Sequence, residues 1–175
     1  MTTIEPARFS VARIKTLRLL LREFRVGDFD DYAENMADPV ATEHLSGVVD
    51  RRTAWRQFAA ATGAWMLNGG GWWGMEESAT GKVVGTVGAF FRESAPDDLE
   101  IGWTVYRRFW RQGFATEGAA AALAYGFESM KATRASSLIS PANVASVGVS
   151  RSIGMAYETD VDFFGQRIGR YAIMR

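Results

Sequence analysis

The chain contains no cysteine, which excludes disulfide frameworks, thiolate nucleophiles and zinc–sulfur sites. A single histidine, His44, excludes a multi-histidine metal centre, and no metal is expected. Neither sign of charge is in surplus, since 20 Lys and Arg balance 20 Asp and Glu. A general nucleic-acid binder needs a basic excess to neutralise backbone phosphates, so that class is set aside, whereas a local basic patch is not. No apolar run approaches the ~20 residues that cross a bilayer, and the first ten residues hold no apolar signal core. No membrane partner is therefore expected, and a cytoplasmic protein is. There is no internal repeat and no linker rich in Pro, Gly or Ser.

What is present is apolar content. Hydrophobic residues make up 47% of 175 positions, enough for one domain with a sizeable core. Residues 1–15 read as an N-terminal extension and 16–175 as the domain. Leu17–Arg22 reads as a first strand. Asp28 is placed to cap a helix bearing Phe29, Ala33 and Met36, and Asp50 to open a second with Trp55, Phe58, Thr62 and Trp65 on one face. Strands follow at 72–76, 82–90 and 99–106, with a turn at 78–81. A helix from about Thr116 to Met130, a strand at 135–140, a helix from about Asn143 to Ser152 and two strands turning around Gly165 complete the chain. The first three of these later strands, joined by short connections, should be antiparallel, and the β-α-β unit after them parallel. The expected class is α+β: one mixed, mostly antiparallel sheet of about six or seven strands flanked by about four helices.

The most informative stretch is Trp110-Arg111-Gln112-Gly113-Phe114-Ala115-Thr116-Glu117. It joins a strand to a run of strong helix formers through a bare glycine. First-turn N–H groups of a helix lack intrahelical partners, and the dipole adds partial positive charge, so such a junction suits phosphate. Gly113 keeps side chains out of the approach to the backbone.

These residues, with Glu100–Val105 (EIGWTV), Asn143–Ser146 (NVAS) and Ile153–Met155 (IGM), resemble the GNAT superfamily of acyl-CoA-dependent N-acyltransferases, most closely its Rim-type branch. The resemblance spans Leu17 to Met174 and implies the GNAT fold and transfer of an acetyl group from acetyl-CoA to an amine. It further implies that N–H groups of Arg111, Gln112, Gly113, Phe114, Ala115 and Thr116 hold the pyrophosphate of CoA. The pantetheine arm is implied to pair with the strand edge at Thr104, Val105 and Tyr106. A main-chain N–H around Thr104 would face the thioester oxygen. Asn143 is implied to contact pantetheine or the thiol, and Ser146 to donate to the departing thiolate. Many relatives carry an acidic tyrosine where this chain has Ser150.

A base is useful because an α-amine has a pKa near 8 and a lysine amine near 10.4, as approximate class values. Glu100 is the candidate: Glu100 and Gly102 project from one strand face, and Gly102 should leave room beside the carboxylate. The plainer reading is a solvated glutamate. Asn143 equally suits a helix cap and Ser146 a first-turn position. His44, the carboxylates Asp30, Asp31, Glu34, Asp38 and Glu43, and Trp72, Trp73 and Trp103 could border an acceptor pocket, but loop, solvated-face and core roles are commoner. Arg107, Arg108 and Arg111 flank the phosphate loop. Thr80-Gly81-Lys82 reads as a hairpin turn. Partners are thus acetyl-CoA and an amine, with a homodimer left open. Two competing readings are a CoA-binding regulatory protein without turnover and an unrelated α+β interaction module.

Overall fold

The computed structural model describes residues 9–45 and 47–175, apart from the side chain of Asn68. Among them lie eight strands and four α-helices. In order they are β1 (Ile14–Lys15), β2 (Leu19–Arg22), α1 (Phe29–Ala37), α2 (Arg51–Asn68), β3 (Gly71–Glu77), β4 (Val83–Arg92), β5 (Ala95–Val105), α3 (Phe114–Glu128), β6 (Arg134–Ile139), α4 (Val144–Ser152), β7 (Ala156–Phe163) and β8 (Gln166–Met174). They form one sheet in the order β1-β2-β3-β4-β5-β6-β8-β7. Every neighbouring pair is antiparallel except β5 and β6, which flank α3 and run parallel. The α+β expectation holds, with one strand more than the sequence suggested. That strand falls within the expected extension, where Ile14 and Lys15 pair with Leu21 and Leu20. Two residues are too few to show a period of two. Residues 1–8 of the extension lie outside the described residues. Among those described, no helix is long and apolar enough to cross a membrane.

The core lies between the sheet and α3. Leu99, Ile101, Val87 and Ala89 face Phe114, Ala119, Ala122 and Leu123, all buried. The helix sits close because glycines face the sheet: a Cβ on Gly126 would meet Leu99 Cδ2 at 2.1 Å, and one on Gly118 would meet Met75 Sδ at 2.4 Å. Trp65 at the end of α2 packs edge-on against Trp73, with centroids 4.7 Å apart, and Trp73 against Tyr125 at 5.3 Å. Trp73 is fully buried, as its core reading required. A second cluster joins α1 to α2 through Phe29, Ala33, Met36, Ala54 and Phe58. Trp55 departs from the expected apolar face: it is 44% exposed and leans on Phe29 from the rim.

The two helix openings differ. Asp50 caps α2 by accepting from the Thr53 N–H at 2.7 Å. Asp28 stands at the N-cap position just before α1 but makes no such bond. Its carboxylate accepts from the Arg22 guanidinium at 2.7 and 2.9 Å and from the Arg25 N–H at 2.7 Å. A buried guanidinium is a stronger partner than a helix N–H, which explains the departure.

Candidate active site

Helix α3 opens at Phe114, two residues before the sequence suggested, because Gly113 takes the left-handed conformation (φ 80°) that turns the chain into the helix. Arg111 also has positive φ, 60°. No side chain caps α3, so its first-turn N–H groups keep the outward orientation that suits an anion. Phe114 serves this opening with its amide alone, since its ring is buried.

The loop is held from behind by residues 94 or more positions away. Arg18 donates to the Gln112 carbonyl at 2.8 Å and to Glu117 at 2.7 Å, and its guanidinium lies 4.7 Å from the Phe114 ring centroid. Glu117 also accepts from the Thr16 hydroxyl at 2.6 Å and the Arg18 N–H at 2.7 Å. Sequence reasoning missed Thr16, Arg18 and Glu117 in this role. Burial alone would raise the Glu117 pKa, but the Thr16 hydroxyl and the two Arg18 donors outweigh it and hold the carboxylate below its ordinary 4.5. A lowered folded pKa contributes stability that is complete above the unfolded value and is lost as pH falls through the folded one. Glu117→Gln is therefore expected to melt below the wild type at pH 7, with the two melting temperatures converging below about pH 4. Thermal unfolding between pH 3 and 7 checks this, and a gap unchanged by acid would refute it.

Strands β5 and β6 pair only at Leu99–Ala135 and Glu100–Ser136. Strand β6 then continues against β8 as far as Ile139–Gly169, while β5 runs on to Val105. The strands therefore part, and a cavity of about 630 Å³ lies at the opening. It is bordered by Trp103, Thr104 and Val105 of β5, the loop and helix start from Phe109 to Thr116, the α4 end from Ala142 to Ser146 with Val149, and Val40, Ala41, Glu43, His44 and Leu45.

The main-chain groups facing that gap are not all those expected. The Tyr106 N–H donates to the Val84 carbonyl at 2.9 Å, so it belongs to the β4 side. Antiparallel pairing alternates along a strand, and Thr104 lies opposite Thr86, which turns the Thr104 amide the same way. Trp103 and Val105 then present their N–H groups to the gap. The Val105 carbonyl already accepts from Trp110 Nε1 at 2.7 Å, and the Ile101 carbonyl from the Ser137 hydroxyl at 2.6 Å. The expectation that Thr104 and Tyr106 supply the open edge is thereby corrected to Trp103 and Val105. The Tyr106 side chain is buried beside Asn35 and Asp38 in a separate recess, where burial pushes its phenol well up.

On α4, Asn143 Oδ1 accepts from the Ser146 N–H at 3.1 Å, so Asn143 caps the helix and borders the cavity at once. Ser146 is half-buried at the same wall. Ser150 is fully buried, and its hydroxyl donates to the Val147 carbonyl at 2.9 Å. It does not border the cavity and stands in for no acid there.

Glu100 lies elsewhere. Both its oxygens accept from Arg92, Nη2 at 2.6 Å and Nε on the other, and it does not border the cavity. Arg92 in turn lies 5.0 Å from the Phe163 ring centroid on the last hairpin. The room expected beside Gly102 is filled by Trp72, whose Cη2 would sit 2.7 Å from a Cβ there. A glycine on a strand reports close approach of some group, and here it is the protein's own indole. Most of the carboxylates near α1 are paired: Asp31 and Glu34 with Arg108, Asp38 with Arg107, and Asp30 with Arg51. The N–H of Val40, with Arg107, holds Asp38 below the usual carboxylate range. Arg111 has no ion-pair partner among the described residues. Gly81 (φ 70°) donates to the Glu77 carbonyl, confirming a hairpin turn there.

An uncapped helix start beside a parted sheet is the arrangement of an enzyme that grips a phosphate-bearing cosubstrate by main-chain donors. Comparison with known proteins narrows this. The chain belongs to the GNAT family of acetyltransferases: the family model for the acetyltransferase (GNAT) domain matches residues 18–156. Membership makes it an acetyltransferase and implies acetyl-CoA as the donor. The Bacillus subtilis (strain 168) protein YkkB is 31% identical over 140 residues, covering 77% of this chain and 78% of that one. An acetyltransferase structure from Agrobacterium tumefaciens str. C58 superposes with a TM-score of 0.86 at 26% identity, covering 99% of this chain and 100% of that one. The structure of RimL, a ribosomal L7/L12 alpha-N-protein acetyltransferase in complex with coenzyme A, shares the fold with a TM-score of 0.76 at 13% identity, covering 93% and 98%.

Proposed function

We propose that the protein transfers an acetyl group from acetyl-CoA to a primary amine, a protein N-terminus or a small-molecule amine, by direct attack in a ternary complex. The observation that carries this reading is the uncapped start of α3 at the mouth of the β5–β6 gap. The residues fit the cosubstrate. N–H groups between Arg111 and Thr116 suit the pyrophosphate, and Arg111, which has no ion-pair partner among the described residues, adds charge beside it. The Trp103 and Val105 N–H groups suit the amides of the pantetheine arm and the thioester oxygen. Bound acetyl-CoA supplies an activated thioester. Asn143 flanks the arm, and Ser146 offers its hydroxyl to the departing thiolate as a hydrogen bond, since a serine is too weak an acid to surrender its proton. The Trp110–Phe114 wording supports placement in the Rim-type branch.

Catalysis in this reading comes chiefly from holding thioester and amine together, for which effective molarities of roughly 10⁵ M are known. Glu100, clasped by Arg92, braces β4 against β5, and this pairing gives no support to a role as base. Glu100→Gln is therefore expected to lower kcat by less than about 10-fold, whereas loss of a general base costs about 100-fold or more. Steady-state kinetics of the variant decide between the two.

The reading itself is tested by incubating the protein with acetyl-CoA and peptides beginning with serine, alanine or methionine, with spermidine and with kanamycin, following thiol release. Release with one of them supports it. Tight acetyl-CoA binding without release would favour the regulatory reading, whose one supporting observation is the buried Ser150 in place of the relatives' tyrosine.

A further inference from the structure

The geometry points to His44 as the group that receives the proton of the acceptor ammonium, an inference that rests on the acetyltransferase reading above. Four observations carry it. His44 is the chain's one histidine and borders the same cavity as Thr104, Asn143 and Ser146. It is half-buried, and among the described residues no hydrogen bond or ion pair engages its imidazole, so a ring nitrogen is available. Its segment is fixed: Asp38 accepts from the N–H groups of Val40 at 2.8 Å and Thr42 at 3.0 Å, and the Leu45 N–H donates to the Thr42 carbonyl at 2.9 Å. Finally, the carboxylate best placed in the sequence for the task, Glu100, is held by Arg92 away from this cavity.

The charged groups facing the cavity are few. Glu43 comes from the same segment and Arg111 from the phosphate loop, while β5 and α4 bring the uncharged Thr104, Asn143 and Ser146. Asp38, at the head of the segment, is paired with Arg107. An imidazole is a much stronger base than a carboxylate and so accepts a proton from an ammonium far better.

The step balances as follows. A ring nitrogen of His44 takes one proton from the ammonium, leaving a neutral amine. The amine nitrogen forms its bond to the acetyl carbon, the carbon–sulfur bond breaks, and the electron pair leaves on sulfur beside the Ser146 hydroxyl. The second proton of the amine passes to that sulfur, giving the amide and free thiol. His44 releases its proton to solvent.

The fastest acceptor among the serine, alanine and methionine peptides, spermidine and kanamycin serves as probe with the intact chain. Wild-type kcat/KM should rise with pH through an ionisation of the free enzyme. His44→Gln should lower kcat/KM about 100-fold at pH 7.5 and abolish that ionisation, with acetyl-CoA affinity by calorimetry changed less than about threefold. The probe's own amine ionises alike with both proteins. Added imidazole should restore at least about 10-fold of the activity of His44→Gly, a response that a merely structural histidine does not give. If His44→Gln does not fold, His44→Asn and the imidazole rescue decide. The inference is overturned if the ionisation survives in the His44 variants, or if Glu43→Gln or Glu100→Gln removes it instead. Either result leaves the acetyltransferase reading intact, whereas a wild type that binds acetyl-CoA but releases no thiol with any acceptor removes both.

Discussion

Gly113→Val is expected to raise the dissociation constant for acetyl-CoA at least about 100-fold, equivalent to about 2.7 kcal/mol. Two effects combine. An L-residue at φ 80° costs roughly 1–2 kcal/mol, and a β-branched one is worse placed than most. A Cβ at this position would also lie 3.3 Å from Arg18 Nη2, the guanidinium that holds the Gln112 carbonyl. Relief of either strain rotates the amides of Phe114 and Ala115 away from a shared anion. Gly113→Ala, with a smaller side chain, should show a weakening closer to 10-fold. Calorimetric titration measures both, and a melting curve confirms that the variants remain folded. A dissociation constant for the valine variant within about threefold of the wild type would show that these amides do not hold the cosubstrate.

Arg22→Met is expected to lower unfolding free energy by about 3–5 kcal/mol. Arg22 is 2% exposed and reaches four oxygens: both of Asp28, one of Glu76 at 2.6 Å, and the Glu23 carbonyl at 2.9 Å. The Asp28 carboxylate, and Glu76 with it, drive the Arg22 pKa upward, so the guanidinium stays charged across any working pH. The pair as a whole need not be worth much against an apolar substitute, because burying two charges is costly. Removing one partner is different, since Asp28 is then left buried and unpaired. The double variant Arg22→Met/Asp28→Asn should therefore recover a good part of the loss, and a double-mutant cycle in urea reads that coupling directly. A single variant within about 1 kcal/mol of the wild type would show that the network contributes little.

The helices and strands were legible where periodicity or punctuation was strong. Asp50 capped its helix, Gly113 opened α3, and the parallel pairing of β5 with β6 followed from the intervening helix. What stayed hidden were contacts between distant segments. Nothing local to Glu117 announces that Arg18 and Thr16 meet it across the fold. Nothing local to Glu100 announces that Arg92 holds it, although a charge pair across one hairpin is the kind of contact a register assignment could have suggested. Gly102 looked like an opening because sequence shows a missing side chain but not the indole that fills its place. The strand edge was assigned one residue out of step. A period of two makes that slip exchange inward for outward groups, so Thr104 and Tyr106 gave way to Trp103 and Val105.

The parting of β5 from β6 carries a hazard as well as a use. An unpaired stretch of strand is a template on which a stray chain could zip, seeding aggregates. Here the outermost carbonyl is stoppered by the Trp110 indole and the innermost by the Ser137 hydroxyl, so scarcely more than one residue's worth of continuous ladder stays vacant. That is too short for a foreign strand yet sufficient for a slender arm of amides, and a Trp110→Ala protein should be the more prone to self-association for having lost its stopper.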